Sequence, residues 1–501
     1  MSTHGTVFEF SAGGRAGGAE VLVVPLITKP KPALQSLAHA DKLCGDALGR
    51  LVETDALGDE PGATAHTVSS AGVRRVLAVS LGDAAKLSPD RVRSAAAAVA
   101  RWLMSERIKT AALWIDVLAG TSLSGAVGEW ATGMALAGFR YATFRKPEKA
   151  PPARVKITLQ SSQAASSSNV MPQVRSAQTL ADAVNYTRSL AHQPPNVLHP
   201  AALAAEARRL ASQCKLKLTI VDARQAQRRG MGGLLSVGMG AKHPPCLLHL
   251  EYRGAPRSRT NYVLVGKAIT FDTGGYSIKP AAGMESMKFD KCGGMTVLGV
   301  LRAAATLKLR CNVTGIVAAA ENAISENAYR PSDIITMMNG KTVEIISTDA
   351  EGRMVLGDAL WYAQRECAPT AMIDLATLTG GVVVALGKTC AGLMGNDESL
   401  SDELLECGRQ THERLWPLPL WDDYRELIKG GDSDLRNSSG KRFAHPIVGG
   451  IFLKEFVEDR VPWAHLDIAG PATTDDDRNA TGFGVRLLVQ YLRRRETAGG
   501  A

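Results

Sequence analysis

The stretch STDAEGRM, residues 347–354, decides how the rest of the chain is organised. Before it, the segment IITMMNGKTVEII (334–346) predicts two short strands joined at Asn339 and Gly340, because Asn-Gly is a strong signal for a two-residue hairpin. After it, the segment MVLGDALWYAQREC (354–367) has the apolar pattern of a helix. The stretch is therefore a connection between two apolar elements.

Three charged side chains occupy alternate positions of this connection: Asp349, Glu351 and Arg353. If the segment is extended, all three point to one side. In a helix, the first two would diverge by about 200°. Charges between apolar elements need a partner to be tolerated, and a metal ion is one such partner. A solvated acidic loop is the alternative that these residues alone leave open.

A second group of charged residues accompanies the strand-like run YVLVGKAITF (262–271) and consists of Lys267, Asp272, Lys279 and Asp290. Lys267 stands in the hydrophobic run, so it either extends its head group to water or loses a proton and becomes a nitrogen ligand. Asp272 precedes a Gly-Gly turn and has an ordinary turn aspartate as its alternative interpretation.

The two groups together provide a candidate set of metal ligands. They are Lys267, Asp272, Asp290, Asp349 and Glu351. Four carboxylates would be neutralised by two divalent cations, and oxygen ligands with one nitrogen and no thiolate favour Mn²⁺, Zn²⁺ or Mg²⁺. Such a pair of cations can share and acidify a water molecule. Lys279 and Arg353 remain as cations for stabilising an oxyanion. No histidine lies near either group in sequence, so a local general base is missing.

Composition narrows the class of protein. The 501 residues are 45% hydrophobic and 21% charged, which is typical of a globular chain of two or three domains. No run reaches the roughly 18–20 apolar residues of a membrane helix, and no export signal is visible. Eight cysteines without a C-x-x-C pair indicate reduced thiols in a cytoplasm. The net charge of +9 permits nucleic-acid binding, but a basic solvated surface explains it equally.

The order of predicted elements indicates an α/β protein. Residues 19–150 alternate strands with Ala-rich helices. Segments rich in Pro, Lys and Ser then place a boundary near residue 170, which predicts an N-terminal α/β domain with its linker (1–170) and a second, larger domain (171–501). Beyond residue 216, near-continuous apolar strands predict a sheet covered on both faces.

Two Gly-rich segments do not satisfy the requirements of a nucleotide site. GRAGG (14–18) precedes a strand instead of following one, and RRGMGGLLSVGMG (228–240) lacks the third glycine of the dinucleotide fingerprint. We expect the second segment to be a flexible or tightly packed loop. No G-x-S-x-G elbow for serine hydrolysis occurs in the chain.

Longer motifs carry a family resemblance. STDAEGR (347–353) is similar to the signature N-T-D-A-E-G-R, and VGKAITFDTGGYSIKP (265–280) is similar to the block that precedes it in the leucyl (cytosol) aminopeptidase family. MKFD (287–290), DLATLTGG (374–381) and PWAHLDIAG (462–470) are further matches. The resemblance implies a macro-like N-terminal α/β domain and a larger α/β metallopeptidase domain with a mixed, mostly parallel sheet covered by helices.

The resemblance also implies roles for individual residues. Lys267, Asp272 and Asp290 would bind one metal, Asp349 would bind the other, and Asp272 and Glu351 would contact both. Lys279 and Arg353 would be the catalytic pair, with a bicarbonate held by the arginine as general base. Three further residues would form the substrate pocket: Met287, Thr377 and Gly380.

The activity implied is that of a homohexameric cytoplasmic aminopeptidase with two divalent metal ions per subunit, Mn²⁺ or Zn²⁺ first and Mg²⁺ as an alternative. It would release unblocked N-terminal residues, leucine and similar ones preferred, by attack of a water shared by the metals, and would serve peptide turnover. The chain departs from the family pattern at Ser347, where Asn is expected, and at Lys291, where Met is expected. Lys291 either adds a cation beside the metals or faces away from them.

Two other classes compete with this interpretation. A binding protein for nucleic acid or an ADP-ribose-like ligand would use the basic charge, although no basic run with interleaved aromatics supports it. A catalytically inactive scaffold is disfavoured because all seven metal-binding and catalytic residues are present.

Overall fold

The computed structural model describes residues 5–12, 18–32, 34–145, 152–163 and 168–498. Its contacts divide the chain into two units, Met1–Asn185 and Tyr186–Ala501. The division falls within a long helix, Met171–His192, whose start is the position of the predicted boundary. The domain limits 1–170 and 171–501 stay predictions. Most of the Gly-rich GRAGG segment lies outside the described residues.

The first unit is an α/β domain built on a six-stranded sheet. Its strands are β1 (Val7–Ala12), β2 (Val21–Lys29), β3 (Thr64–Val68), β4 (Arg75–Asp83), β5 (Thr110–Trp114) and β6 (Arg154–Gln160). Its helices are α1 (Leu34–Lys42), α2 (Ala47–Glu53), α3 (Pro89–Ser105), α4 (Asp116–Ala119), α5 (Ala126–Ala137) and α6 (Met171–His192), the last of which continues into the second unit. A 3₁₀ turn spans Ala84–Lys86.

The strand order in this sheet is β1-β6-β5-β2-β4-β3, and the only antiparallel pairing described is that of β3 with β4. The alternation of strands and helices over 19–150 therefore predicted the architecture of this unit correctly. The Ala-rich segment forms α3, where Ser88 is the N-cap, its hydroxyl accepts from Arg91 N at 3.4 Å, and Pro89 follows.

The second unit contains an eight-stranded sheet and a small three-stranded sheet. Its strands are β7 (Lys217–Val221), β8 (Cys246–Arg253), β9 (Tyr262–Asp272), β10 (Asn312–Asn322), β11 (Ile334–Thr336), β12 (Thr342–Glu344), β13 (Ala371–Ala376), β14 (Ala391–Gly395), β15 (Leu415–Pro417), β16 (Leu435–Arg436) and β17 (Trp463–Asp467). The large sheet has the order β15-β14-β17-β13-β9-β10-β8-β7. It is mixed: the four pairings β15-β14, β17-β13, β13-β9 and β9-β10 are parallel.

Helices surround this sheet. They are α7 (Pro200–Cys214), α8 (Ala223–Arg228), α9 (Gly232–Gly238), α10 (Cys292–Leu307), α11 (Glu351–Cys367), α12 (Gly380–Leu386), α13 (Glu398–Thr411), α14 (His445–Lys454) and α15 (Val485–Ala498), with 3₁₀ segments at Met284–Phe289 and Asp422–Ile428. Among the described residues, every helix is too short or too polar to cross a membrane.

Strand β9 is central, and both of its faces are covered at close range. A Cβ on Gly266 would lie 2.5 Å from Gly294 Cα of α10. A Cβ on Gly352 of α11 would lie 2.7 Å from Lys267 Cε. Because neighbouring strand residues point to opposite faces, α10 and α11 lie on opposite sides of β9. The near-continuous apolar runs beyond residue 216 therefore belong to a sheet that helices cover on both faces, as predicted.

The segments flanking 347–354 form the expected elements. β11 and β12 pair antiparallel, and Gly340 has a φ of 87° in the turn between them. The helix α11 begins at Glu351, inside the stretch. The connection is therefore not extended as far as Arg353. Of its three charged residues, Asp349 alone precedes the helix, while Glu351 and Arg353 belong to it.

The prediction of a loop at 228–240 is wrong in one respect, since Gly232–Gly238 forms the helix α9. The tight packing expected there is present. A Cβ on Gly232 would lie 2.0 Å from Thr336 O, and one on Gly233 would lie 2.4 Å from Met354 O. The glycines therefore serve close approach of α9 to its neighbours, and not flexibility.

Candidate metal centre

Lys267 lies in the middle of β9 and is only 2% exposed. Its Nζ lies 2.8 Å from Asp290 Oδ1 and 2.7 Å from Glu351 Oε1, and it donates to Thr377 O at 2.9 Å. Burial lowers the pKa of this amine, but the carboxylates of Asp290, Glu351 and Asp272 outweigh burial and raise it above the ordinary value. The side chain therefore does not extend to water; in the absence of metal it is an ammonium held by carboxylates.

Three of the predicted carboxylate ligands converge beside Lys267. Asp272 ends β9, Asp290 follows the 3₁₀ segment Met284–Phe289, and Glu351 begins α11. One ligand oxygen from each lies within 4.8 Å of the others. Parallel packing of β9 with its neighbours brings strand ends to one edge of the sheet, while the two helical segments deliver the other two carboxylates to it.

Burial is the main reason that two carboxyls of the cluster have raised pKa values. Burial and then the charge of Asp272 raise the pKa of Glu351 to about 8, against the opposing effect of Lys267. Burial raises the pKa of Asp290 to about 6, again against Lys267. Carboxyls that hold protons near neutral pH in the absence of a cation are a common property of functional sites.

Lys279 and Asp349 lie at the edge of this cluster. Lys279 Nζ is 2.9 Å from Asp272 Oδ2 and 2.5 Å from Asp349 Oδ1, so the ammonium lies between the two carboxylates. Asp349 is partly exposed and does not belong to the group of three mutually close carboxylates. Burial lowers the pKa of Lys279, but Asp272, Glu351 and Asp349 together raise it above the ordinary value. Lys279 is therefore cationic at neutral pH.

Arg353 lies in the first turn of α11 and is buried. Its Nη1 donates to Asn437 O at 2.8 Å, while its Nε has no hydrogen-bond partner among the described residues. Burial lowers the pKa of Arg353 to about 10, although Glu351 and Asp467 act in the opposite direction. The guanidinium is thus charged at neutral pH and retains an unused donor.

The three charged side chains of the stretch 347–354 therefore contact different partners. Asp349 contacts Lys279, Glu351 contacts Lys267, and Arg353 contacts a backbone oxygen. The common side expected for an extended chain is not realised, because the helix begins at Glu351.

The two departures from the family pattern differ in their surroundings. Asp349 N donates to the hydroxyl of Ser347 at 3.2 Å, so serine provides a local turn contact of the kind an Asn side chain also makes. Lys291 is fully buried, and its Nζ donates to Gln193 O at 3.0 Å and to Lys288 O. Lys291 thus directs its amine to backbone oxygens and has no ion pair with the carboxylate cluster within the described ranges.

Two of the three predicted substrate-pocket residues, Met287 and Thr377, contact Asp290 of the cluster. Met287 is half-buried in the 3₁₀ segment, and its carbonyl accepts from Asp290 N at 3.2 Å. The Thr377 hydroxyl donates to Asp290 Oδ1 at 2.7 Å. Gly380 is exposed at the start of α12 and lines a cavity of about 780 Å³ together with Val384 and His445.

The structure adds supporting residues that sequence reasoning missed. Asn322 Nδ2 bridges Asp272 Oδ1 at 2.8 Å and Thr348 O at 3.0 Å. Asn437 Oδ1 accepts from Ser347 N at 3.2 Å. Asn322 ends β10 as Asp272 ends β9, so a polar residue at the end of a buried strand was an available signal. Asn437 lies in a loop, and nothing in its local sequence marks it.

The chain matches models of two domains of one family. Residues 185–489 match the catalytic domain of the cytosol aminopeptidase family, and residues 23–148 match its N-terminal domain. The chain belongs to the cytosol aminopeptidase family. A probable cytosol aminopeptidase of Syntrophotalea carbinolica is 41% identical over 468 residues, which cover 91% of this chain and 94% of that protein. The cytosol aminopeptidase of Pseudomonas aeruginosa is 41% identical over 466 residues, which cover 92% and 94%.

Solved structures agree with this membership. A mutant of tomato leucine aminopeptidase superposes with a TM-score of 0.86 at 32% identity and covers 98% of this chain and 97% of its own. The bottromycin maturation enzyme BotP in complex with Mn superposes with a TM-score of 0.84 at 30% identity and covers 95% and 100%. Membership in the cytosol aminopeptidase family supports N-terminal peptide hydrolysis by a dinuclear, metal-dependent enzyme.

The residues of this cytosol aminopeptidase family member fit such a metal group. Asp290 Oδ2 is buried and lacks a hydrogen-bond partner among the described residues, which is costly unless a cation meets it. The donor set around it is oxygen-rich with one amine. With all four carboxyls ionised, as metal ligands are, the ammonium groups of Lys267 and Lys279 offset only half of their charge. Both the orphan oxygen and the charge excess are consistent with divalent cations.

Proposed function

We propose that this protein is a leucyl-type aminopeptidase that releases unblocked N-terminal residues from peptides. The observation that carries the proposal is the convergence of Asp272, Asp290 and Glu351 within 4.8 Å, with the cation of Lys279 beside them. A buried acidic cluster with an adjacent ammonium suits hydrolysis. The carboxylates can hold metal cations, and the ammonium can stabilise the negative charge that develops on the substrate.

Two divalent cations per chain, Mn²⁺ or Zn²⁺ and alternatively Mg²⁺, would be held by a set of five residues. The set is Lys267, Asp272, Asp290, Asp349 and Glu351. When bound, the cations supply Lewis acidity and make water a nucleophile at neutral pH. Lys267, whose amine now contacts Asp290 and Glu351, would join the set as a nitrogen ligand only in its deprotonated form.

Lys279 is proposed to stabilise the tetrahedral intermediate. Its ammonium remains charged because Asp272 and Asp349 hold it, and it is 21% exposed, so a substrate can reach it. A fixed cation aimed at a carbonyl oxygen stabilises the charge that develops during attack by water. Removal of one such group typically costs about 10²–10³ in kcat.

Arg353 is proposed to act from the buried side of the site. It is charged at neutral pH and has an unpartnered Nε–H within the described part of the chain. A guanidinium binds a planar oxyanion through parallel hydrogen bonds, which is the geometry a bicarbonate offers. By holding a bicarbonate there, Arg353 would supply the site with a group that can serve as general base.

The proposal also covers the side-chain preference, the cellular location and the oligomeric state. A hydrophobic preference for leucine-like residues would involve Met287, Thr377 and Gly380. Cytoplasmic peptide turnover accords with relatives named cytosol aminopeptidases. A homohexamer accords with the large apolar side chains exposed on the second unit, which a subunit interface would cover. They include Val384, Trp416, Trp421 and Phe443. No described feature favours nucleic-acid binding, which stays an unsupported hypothesis.

The test removes metal from the full-length protein and restores Mn²⁺, Zn²⁺ or Mg²⁺ separately. Each form is assayed on leucine p-nitroanilide and on its N-acetylated counterpart, which differ only in the free amine. We expect no activity without metal and at least tenfold recovery on the free amine with one of the cations, with little on the acetylated compound. Metal-independent activity, or equal activity on the two compounds, would refute the proposal.

A further inference from the structure

We propose that Thr377 is a positioning residue whose hydroxyl orients Asp290 for metal binding, and that Asp467 anchors the loop that carries it. The inference rests on the proposed metal centre. It assigns to Thr377 a function that does not require contact with a substrate.

The two oxygens of Asp290 are used differently. Oδ1 lies 2.8 Å from Lys267 Nζ and accepts from Thr377 Oγ1 at 2.7 Å. Oδ2 is buried and has no hydrogen-bond partner among the residues described. A carboxylate held through one oxygen presents the other in a defined direction, which is how groups outside the ligand set orient metal ligands.

Thr377 contacts two members of the proposed ligand set, Asp290 and Lys267. The ammonium of Lys267 now shares Asp290 Oδ1 with the threonine. The carbonyl of Thr377 also accepts from Lys267 Nζ at 2.9 Å. One residue therefore holds two members of the ligand set, Lys267 through its backbone and Asp290 through its side chain.

The loop after Thr377 is fixed by Asp467, which ends β17 and is fully buried. Asp467 Oδ1 accepts from Leu378 N at 3.1 Å and from Thr379 N at 3.4 Å. Asp467 Oδ2 accepts from Thr379 Oγ1 at 2.6 Å, and the same hydroxyl caps α12 by accepting from Val382 N at 3.2 Å. These hydrogen bonds to Asp467 restrain the loop. The loop in turn holds the Thr377 hydroxyl beside Asp290.

The experiment measures metal affinity in the absence of substrate. Metal-stripped full-length protein is titrated with Mn²⁺ by calorimetry, in the parent and in Thr377→Val, Thr377→Ala and Thr377→Ser. Thr306→Val is the matched control, because Thr306 is exposed on α10 and its hydroxyl, among the described residues, donates to Arg302 O alone. We expect Val and Ala to weaken one of the two sites by about 10–100-fold, as loss of such orienting contacts does. Ser and the control should bind as the parent does.

Unchanged affinity in Thr377→Val and Thr377→Ala would overturn the inference, and so would an equal loss in Thr377→Ser, since that variant keeps the hydroxyl. Thermal unfolding in chelator shows whether each variant is folded; if Val disrupts packing, the smaller Ala decides the outcome. A residue that only contacts substrate would change KM and leave Mn²⁺ affinity intact. Hydrolysis assayed on the same samples separates the two proposals: a parent that binds Mn²⁺ but releases no N-terminal residue refutes the proposed function alone.

Discussion

Lysine–carboxylate contacts accompany a central parallel strand in each unit, with opposite consequences. In the first unit, β2 ends at Lys29, which pairs with Asp59 at 2.9 Å, and Lys31 pairs with Asp55 at 2.5 Å. All four side chains are at least half exposed, around a cavity of about 330 Å³. In the second unit, Lys267 and its carboxylate partners are exposed by 7% or less.

The comparison shows that burial decides what a lysine–carboxylate contact does. Exposed pairs are matched one to one, screened by water, and contribute little. The buried cluster has more carboxylates than cations, and each unmet charge is costly there. An acidic excess that folding alone would not favour is therefore the physical sign of a site for an added cation. One substitution, lysine to methionine, can be made at four positions to test this difference.

The largest effect is expected for Lys267→Met in metal-free protein at pH 8. It leaves Asp290 and Glu351 without their cation, and loss of one partner of a buried pair costs about 3–5 kcal/mol. Denaturant unfolding in chelator measures the change. The loss should shrink as pH falls through the pKa values of about 8 for Glu351 and about 6 for Asp290, because the protonated carboxyls need no partner. A loss of unfolding free energy below about 1 kcal/mol would mean that the contacts of Lys267 contribute no more than exposed ion pairs do.

Lys279→Met should lower kcat by about 10²–10³, because it removes the cation proposed to meet the developing oxyanion. Mn²⁺ affinity should not fall, since the ammonium now lies between Asp272 and Asp349 and competes with an added cation for them. Steady-state kinetics and calorimetric titration of the same preparation check the two halves. Lost metal binding with lost activity would make Lys279 a structural residue of the centre.

Lys291→Met should change the pH dependence of stability. Burial lowers the pKa of Lys291 to about 7, below the ordinary 10.5, so between these values the unfolded chain binds more protons than the folded one. Stability from this residue therefore rises with pH, by at most about 1.4 kcal/mol per pH unit. The neutral amine can still donate to Gln193 O and Lys288 O.

Unfolding free energies of parent and Lys291→Met, compared from pH 7 to 10, measure this slope. The parent should gain stability relative to the variant over that range. Parallel curves would mean that Lys291 keeps its proton in the folded protein.

The smallest effect is expected for Lys31→Met, the exposed counterpart of Lys267→Met. Its pair with Asp55 is screened by water on both sides, so the free energy of unfolding should change by less than about 1 kcal/mol. Salt should reduce even that difference. An effect equal to that of Lys267→Met would remove burial as the cause of the contrast.

Much of the fold was predictable because local signals and tertiary packing agree. The Asn339–Gly340 turn and the helix predicted over 354–367 follow from short-range preferences that burial reinforces. The helix at Gly232–Gly238 was not predictable, since glycine disfavours helices and only close neighbours explain its presence. Tertiary contact overrode local propensity there.

The candidate site also has features that the sequence predicted and features that it did not. The identities of Lys267, Asp272, Asp290, Asp349 and Glu351 as candidate ligands came from the sequence, because charged residues beside buried strands are rare unless they have a partner. The structure brings three of the carboxylates, those of Asp272, Asp290 and Glu351, together beside Lys267. The sequence by itself thus determined the class of fold, the family and the chemical types at the centre.

Only the tertiary structure decided where each charge is directed. The start of α11 at Glu351 separates Glu351 from Asp349, and the carbonyl oxygens that meet Lys291 turn its amine away from the cluster. The contacts of Thr377 with Asp290 and of Thr379 with Asp467 span nearly ninety residues each. Hydrogen bonds depend on atomic distance and angle, which local sequence patterns do not specify for residues so far apart along the chain.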